Sequence, residues 1–207
     1  MVSFHKIFLA SLAMVAPIVA QTTPEQVVTN LKMITQKSQA LQAPAQSITI
    51  INGPLIIIGQ GPFPQIIAGF TDIVATGTTA LSQMQGMPPV PAGDKSDAIF
   101  DAFREFVRVH QVLLNILIGK AGLFSTVPFI GQPVAAVLRQ IENVVDTLAF
   151  TLIDTVESRA SDLQAQAGSL TGSLDVCIAK YEGLSTAKRS IQFPRREIAH
   201  REIAATA

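Results

Sequence analysis

Few side chains of this protein are of the types that perform catalysis or bind metal ions, and those few are far apart. The sequence has three histidines and one cysteine. His5 and His200 lie near the ends of the chain, so His110 is the only imidazole of the central region. A single imidazole does not form a histidine-based metal site, and a dyad of His110 with Cys177 lacks an identifiable third group. We therefore expect both to be core residues, and we expect no metal or cofactor.

The acidic residues and glycines also lack the patterns of known catalytic or nucleotide-binding sites. The carboxylates are spread singly over polar helix faces, whereas glycosidase chemistry needs a close pair. The sequence contains neither a G-x-S-x-G nucleophile turn nor a G-K-[ST] phosphate loop. Gly59 and Gly61 are followed by Pro64 where a dinucleotide-binding loop has its third glycine. We therefore predict that the protein is not an enzyme.

Arg159 has a position that suggests two different roles. If one helix continues through this region, Arg159 shares an apolar stripe with Val156 and Leu163. An arginine on such a face needs a partner or a route to water, and the simpler interpretation is that its guanidinium reaches solvent near the end of the bundle. The alternative is that the guanidinium anchors a ligand carboxylate by two parallel hydrogen bonds.

The composition restricts the class of protein. Of 207 residues, 48% are hydrophobic and only 14% are charged, with no tryptophan and 11 phenylalanines. Charged residues usually make up about a quarter of a globular protein. Residues 21–181 carry nine basic and twelve acidic side chains, a net charge of −3 that disfavours nucleic-acid binding. The excess of aliphatic residues suits packed helices or a cavity for a lipid-like ligand.

The first 20 residues have the pattern of a secretory signal. A positively charged start precedes an apolar run of 13 residues, 7–19, which is too short to span a membrane comfortably. Ala20 and the two residues before it fit a cleavage site ahead of Gln21. We therefore expect a cleaved signal at residues 1–20 and a secreted, extracellular protein that is either free or associated with a cell wall.

The remaining chain divides into one domain and a tail. Residues 21–181 contain no apolar run of 18 residues, so we predict no transmembrane segment there. Residues 182–207 have a net charge of +2 and no apolar periodicity, which predicts a disordered basic tail. The single Cys177 permits no internal disulfide, so the domain must be stabilised by burial of its core.

Hydrophobic residues recur at helical spacing through most of the domain, which predicts an all-α fold. The first predicted helix runs from Pro24 to about residue 50, with Thr23 as its cap. The second begins at Pro64, and residues 86–94 form the loop that follows it. Since no two segments alternate as paired strands, we predict a compact bundle of four or five helices.

The third and fourth predicted helices supply most of the expected core. The third is capped by Ser96 or Asp94, and its second half is apolar on every face, so we place its end at the centre of the bundle, surrounded by the others. The fourth begins at Pro133 and its pattern continues to Tyr181. A helix of that length is too long for a compact domain of this size, so we expect a break near residues 168–172.

An uncharged, isoleucine-rich segment, residues 47–67, connects the first two predicted helices. We interpret it as a helix corner in which residues 55–58 form one apolar turn; a hairpin at Asn52 and Gly53 would be marginal without a third strand. Surface loops are normally polar, so we expect this segment to pack against the end of the bundle or line the mouth of a lipid site. If residues 56–58 are exposed instead, they form a patch that adsorbs to hydrophobic surfaces.

Three stretches resemble the fungal hydrophobic surface binding protein A family, also described as cell-wall galactomannoproteins. They are PEQVVTNLKMITQKSQALQ at 24–42, GPFPQIIAGFTDIV at 61–74 and VLRQIENVVDTLAFTLIDTVESRASDL at 137–163. The resemblance covers roughly residues 21–181. It implies a helical bundle that binds hydrophobic surfaces or fatty-acid-like lipids and has no enzymatic activity. The sequence lacks the Ser/Thr-rich, GPI-type C-terminus of wall-anchored members, so we expect a released protein.

Two functions fit these features. In the first, a fatty acid or other lipid binds within the bundle, where ligand sites often lie. The candidate lining residues face inward from the second, third and fourth predicted helices: Phe70, Val74, Phe103, Phe106, Val107, Leu114, Ile141, Val145 and Leu148. In the second, the protein is a wall-associated structural, adhesive or antigenic protein with a solid core, no small-molecule ligand and apolar surface patches. A secreted effector acting on a host protein is a third, weaker alternative. The sequence leaves the ligand and the oligomeric state open.

Overall fold

The structure is a computed structural model that describes residues 22–124 and 130–186. Its helices are α1 (Pro24–Ala40), α2 (Gln42–Gln46), α3 (Pro62–Met84), α4 (Asp94–Ala121), α5 (Gly131–Thr155) and α6 (Ala160–Thr186), with 3₁₀ turns at Gly53–Ile58, Gly122–Phe124 and Glu157–Arg159. These ranges contain no strand, and five of the helices are long, which confirms the all-α bundle. The predicted signal at 1–20 and the tail from 187 onward lie outside the described residues. Residues 182–186, which we assigned to the tail, belong to α6.

The five long helices form a closed ring in the order α1, α3, α5, α6, α4. Each packs mainly against its two neighbours in that ring, and α4 returns to α1. The α1 and α4 helices run parallel, as the Lys95–Glu25 ion pair near their starts indicates. The α4 and α6 helices are also parallel, and the buried Tyr181 hydroxyl joins them by donating to the Leu117 carbonyl at 3.0 Å. Inward-facing side chains of all five helices therefore meet in one shared core.

The second half of α4 is not surrounded by the other helices, contrary to prediction. Leu113, Leu114 and Leu117 are buried, but Val112 is 41% exposed and Ile118 is only partly buried. A ring of five helices has no central member, so every helix keeps an outer face. The apolar residues on the outer face of α4 contribute to hydrophobic surface instead of a central position.

The first helix ends ten residues earlier than predicted, because of Pro44. A helix continuing past Ala40 would need a hydrogen bond from the backbone amide of residue 44 to the Ala40 carbonyl. Proline has no amide hydrogen, so that bond cannot form. The chain instead ends α1 at Ala40 and makes the single short helix α2, Gln42–Gln46.

The last predicted helix is broken, but at Val156 and not at residues 168–172. Val156 has φ −122° and ψ 62°, which ends α5 and reverses the chain into α6. The Thr155 carbonyl accepts a hydrogen bond of 2.7 Å from the Val90 amide of the α3–α4 loop, so it is not paired along its own helix. Gly168 and Gly172 lie inside α6, which stays helical because its apolar face packs against α4 and α5.

The predicted cap of the first helix, Thr23, is confirmed. The cap of the third predicted helix, α4, is Gly93 and not Asp94 or Ser96. The Thr23 side chain accepts a hydrogen bond from the Gln26 amide at 3.2 Å, and Pro24 occupies the first helical turn. At α4 the cap is Gly93, whose φ of 142° favours glycine. The buried Ser96 hydroxyl pairs with the Gly93 backbone, donating to its carbonyl at 2.7 Å.

The isoleucine corner, residues 47–61, links α2 to α3. The Asn52 side chain organises it, accepting from the Thr49 amide and donating to the Ser47 carbonyl, both at 2.7 Å. Gly53–Ile58 forms a 3₁₀ turn, as the predicted apolar turn required. The corner does not pack wholly against the bundle, because Ile50, Ile51 and Ile58 are 68%, 89% and 66% exposed. Its backbone is satisfied by local bonds, so burial of these side chains is not needed to hold its shape.

Candidate functional site

A small apolar cavity lies between α1, α3, α4 and α5. Four helices contribute to its wall: α1 through one residue, α3 through three, α4 through one and α5 through four. The lining residues are Ile34, Ile73, Val74, Gly77, Phe106, Ile141, Val144, Val145 and Leu148. Every lining side chain is hydrocarbon, so the cavity suits an alkyl chain and no charged group.

Five of the ten predicted site residues line this cavity. They are Val74, Phe106, Ile141, Val145 and Leu148. Four others, Phe70, Phe103, Val107 and Leu114, are buried in the surrounding core without lining it. The tenth, Arg159, lies in the turn between α5 and α6. Contact of any of these residues with a lipid stays a prediction.

Sequence reasoning missed Ile34, Ile73, Gly77 and Val144. The signal for the first two was present, because both lie on the apolar stripes of their helices, but α1 was left out of the expected site. Gly77 was noted only as an interruption of a helix. A Cβ placed on Gly77 would lie 2.5 Å from Cγ1 of Val144, so glycine is what allows α3 and α5 to approach closely at the cavity wall.

The cavity is much smaller than a ligand. Its volume is about 10 Å³, roughly enough for one water molecule, whereas pockets for small organic ligands measure about 300–1,000 Å³. The side chains around it therefore pack almost as closely as an ordinary protein core. Any lipid that enters must separate helices of the ring.

A buried polar pair, Ser38 and His110, lies beside this apolar centre. The His110 side chain is fully buried, and its Nδ1 is 2.9 Å from Oγ of Ser38. The Ser38 hydroxyl is also 3.0 Å from the Ile34 carbonyl. Nε2 of His110 is buried without a hydrogen-bond partner. Burial lowers the pKa of His110 to about 4, so its imidazole is neutral at pH 7.

Cys177 shows no sign of nucleophilic activation. It is fully buried on α6, and burial raises the pKa of its thiol to about 12.

The ring contacts of His110 are with Phe70 and Phe106, so its surroundings are aromatic. Among the described residues, no three histidine, cysteine, aspartate or glutamate side chains are grouped so that they would hold a metal ion.

Arg159 is engaged by two carboxylates at the surface of the bundle. Its Nη2 donates to Oδ1 of Asp97 at 2.7 Å, and its Nη1 donates to Oδ2 of Asp162 at 3.1 Å. The guanidinium also lies over the ring of Phe100, 5.4 Å from its centroid. The hydrogen bonds that the guanidinium donates to Asp97 and Asp162 raise the pKa of Arg159. The helix that would have carried Arg159 on an apolar stripe is broken at Val156, so a ligand carboxylate would have to compete with Asp97 and Asp162.

Larger hollows lie on the outside of the bundle, and two of those described have volumes of about 400 Å³ or more. One, between α5 and α6, has a volume of about 470 Å³ and is lined by Phe150, Gly168 and Gly172, with Asp146 and Asp175 also on its wall. The other, between α1 and α4, has a volume of about 400 Å³ and is lined by basic and acidic side chains, including Lys32 and Glu105. Both are open to solvent, and their mixed polar linings contrast with the hydrocarbon centre.

One described helix is long and apolar enough to cross a membrane. It spans residues 94–124, α4 with the turn after it, and has a mean hydropathy of 1.2 over its most apolar window. The core helices of globular bundles have the same length and composition. In this fold α4 buries its apolar stripe against α1 and α6, and 44% of that window is buried inside the bundle.

Comparison with known proteins shows a shared fold. No protein-family model matches the sequence, and no curated protein matches it. AFMP4P, solved in complex with palmitic acid, superposes with a TM-score of 0.68 at 13% identity, covering 77% of this chain and 99% of that chain. Ligand-binding domain 1 of the Penicillium marneffei MP1 protein, complexed with arachidonic acids, gives 0.66 at 16% identity over 77% and 99%. Domain 2 of the same protein, complexed with multiple arachidonic acids, gives 0.63 at 15% identity over 77% and 94%.

Proposed function

We propose that this protein binds a fatty acid or similar single-chain lipid between the helices of its ring. The observation that carries the proposal is the fold, which is shared over nearly the full length of domains solved with palmitic and arachidonic acids. The hydrocarbon-lined cavity supports it from within this chain, since it marks an interior point where four helices leave space. The resemblance to galactomannoproteins agrees with the same proposal.

Binding must expand the cavity, because its present volume of about 10 Å³ holds no alkyl chain. Each CH₂ group that leaves water contributes about 0.8 kcal/mol. A long alkyl chain therefore gains enough to offset the loss of some helix–helix contact, whereas a short one does not. We expect affinity to increase with chain length until the chain exceeds the length of the ring.

Two measurements test the proposal. Lipid mass spectrometry on natively purified protein identifies any co-purified ligand, and titration with palmitic acid gives the affinity. Val145→Phe places a ring where the cavity lies and should weaken binding at least tenfold. The matched control is Val137→Phe, a buried residue of α5 that does not line the cavity, and it should change the affinity less than twofold. Absence of palmitate binding by the folded wild-type protein would refute the proposal.

A second candidate function, adsorption to hydrophobic surfaces, is favoured by the exposed side chains of the isoleucine corner. Ile50, Ile51 and Ile58 are the exposed members, with Leu55 beside them at 37% exposure. The segment carries no charge, so it meets an apolar surface without a desolvation cost for ions. Substituting Ile50 and Ile51 by asparagine should reduce adsorption to hydrophobic beads and leave palmitate affinity unchanged. Equal adsorption of the variant would assign the coating activity to another surface.

We propose an extracellular location on the leader-like sequence at residues 1–20, which lies outside the described residues. Expression of the full sequence in a secreting host should deliver to the medium a protein whose first residue is Gln21. Retention of residues 1–20 in a cell-associated product would contradict this proposal.

A further inference from the structure

His110 offers a hydrogen-bonding atom that nothing in the described structure uses. Its Nε2 is buried and unpartnered, while Nδ1 is held by Ser38. Leaving a buried polar atom unpaired costs a folded protein stability, so most such atoms have a partner. A hydrophobic residue of similar size would avoid that cost at this position. The imidazole at this position therefore calls for an explanation, and the neighbouring cavity supplies one.

The polar pair lies one helical turn from the cavity on two parallel helices. Ser38 follows the lining residue Ile34 by four positions in α1, and His110 follows the lining residue Phe106 by four positions in α4. Four residues of α-helix advance about 6 Å. The Phe106 ring contacts the His110 ring, with centroids 5.4 Å apart, so no other residue separates the polar pair from the cavity wall on α4.

The surroundings select an uncharged head group. Phe70 and Phe106 flank the imidazole, and no charged side chain is hydrogen-bonded to it. An ionised carboxylate at this depth would be a buried charge without a counter-ion, which is strongly unfavourable. The Ser38 hydroxyl donates to the Ile34 carbonyl, so it accepts from Nδ1–H of His110, and Nε2 is then a free acceptor. An acceptor of this kind pairs with a hydroxyl or with a protonated carboxyl.

We infer that His110 is the polar end of the internal lipid site and that its Nε2 accepts a hydrogen bond from the hydroxyl or protonated carboxyl head of a single-chain lipid. This inference rests on the proposed lipid-binding function and deepens it. The alkyl chain extends from His110 past Phe106 into the cavity between α3 and α5. The lipid therefore enters head first, and its hydrocarbon end points toward the starts of α1 and α4.

The test compares 1-hexadecanol with n-hexadecane, which have the same chain length and differ in the head group. Affinities for both are measured by displacement of a fluorescent fatty acid from the wild-type protein and from His110→Phe, which keeps a ring and removes the nitrogens. The preference for the alcohol over the alkane should fall about tenfold in the variant, the value of one hydrogen bond to a buried acceptor. An unchanged preference overturns the inference while leaving lipid binding intact.

A spectroscopic measurement keeps the inference testable if His110→Phe does not fold. His5→Gln combined with His200→Gln leaves His110 as the only imidazole of the three. In ¹⁵N-histidine-labelled protein, palmitic acid or 1-hexadecanol should shift the Nε2 resonance upfield, as expected for a nitrogen that begins to accept a hydrogen bond, whereas n-hexadecane should not. Binding of the acid without that shift means that the chain enters tail first, and overturns the inference. If none of the three lipids binds to the wild-type protein, the proposed function fails together with it.

Discussion

Acidification should destabilise this protein through His110 before it affects most carboxylates. Burial lowers the pKa of His110 to about 4 in the folded state, whereas an unfolded histidine has a pKa of about 6.5. Between these values the unfolded chain binds a proton that the folded chain does not. The free energy of unfolding therefore decreases as the pH falls through this window. For these two pKa values, the loss between pH 7 and pH 5 is about 2 kcal/mol.

Urea unfolding of the wild-type protein and of His110→Phe at pH 7, 6 and 5 measures this contribution. The variant has no group to protonate at this position, so its free energy of unfolding should change about 2 kcal/mol less between pH 7 and pH 5. Other titrating groups, including Glu142, whose pKa burial raises, are common to both proteins and cancel in the difference. The reasoning is refuted if both proteins show the same pH dependence, because His110 would then be accessible to protons in the folded state.

Further substitutions test the close approach of helices at the cavity wall and the role of the surface cation Arg159. Gly168→Ala adds a methyl group to α6 where nothing lies within 4 Å, and it should stabilise the protein by about 0.5–1 kcal/mol. Gly77→Ala should leave the protein about 1–3 kcal/mol less stable than Gly168→Ala does, because its methyl group meets Val144. Adding Val144→Ala to Gly77→Ala should restore most of that difference in urea unfolding. Equal stabilisation by the two glycine-to-alanine substitutions would contradict the close approach of α3 and α5. Arg159→Met should lower the free energy of unfolding by less than about 1 kcal/mol. It should also leave palmitate affinity within twofold, because the guanidinium is already hydrogen-bonded to Asp97. A larger loss of affinity would support the role of Arg159 as a carboxylate anchor.

The sequence predicts helices and their inner faces well because burial and periodicity have the same cause. A helix that packs on one side needs apolar residues at intervals of three and four, and those intervals are visible without any structure. Phe103, Phe106 and Leu114 were predicted to face inward on this basis, and all three are buried. The same argument placed Val145 and Leu148 on the inner face of α5.

Helix ends were predicted less well, because they depend on contacts that are distant in sequence. The end of α1 was within reach, since Pro44 is a local signal that removes one backbone donor. The break at Val156 was not, because the competing donor to the Thr155 carbonyl is the Val90 amide, which belongs to another loop. At Gly168 the local signal was misleading, because the low helix propensity of glycine is outweighed by packing of the opposite face of α6.

Periodicity also cannot distinguish a core residue from a residue that lines a cavity. Phe103 and Phe106 are equally buried, yet only Phe106 borders the central space. The difference is set by what faces each side chain across the ring, and at Phe106 that includes Gly77, which presents no side chain at all. A cavity of this kind forms where the opposing helix has a small residue, and the periodicity of one helix contains no information about the opposing helix.

The small cavity and the lipid-binding proposal are compatible because the ring has no central helix. In a bundle with a buried central helix, inserting a chain would displace an entire packed element. In this ring, the residues that meet at the centre come from the inner faces of separate helices, so moving one helix outward opens space without breaking the backbone hydrogen bonds within any helix. Gly77 is the point at which α3 and α5 come close enough to resist that movement. If this argument is correct, Gly77→Ala, which pushes these two helices apart, should lower stability relative to Gly168→Ala and at the same time should not weaken palmitate binding.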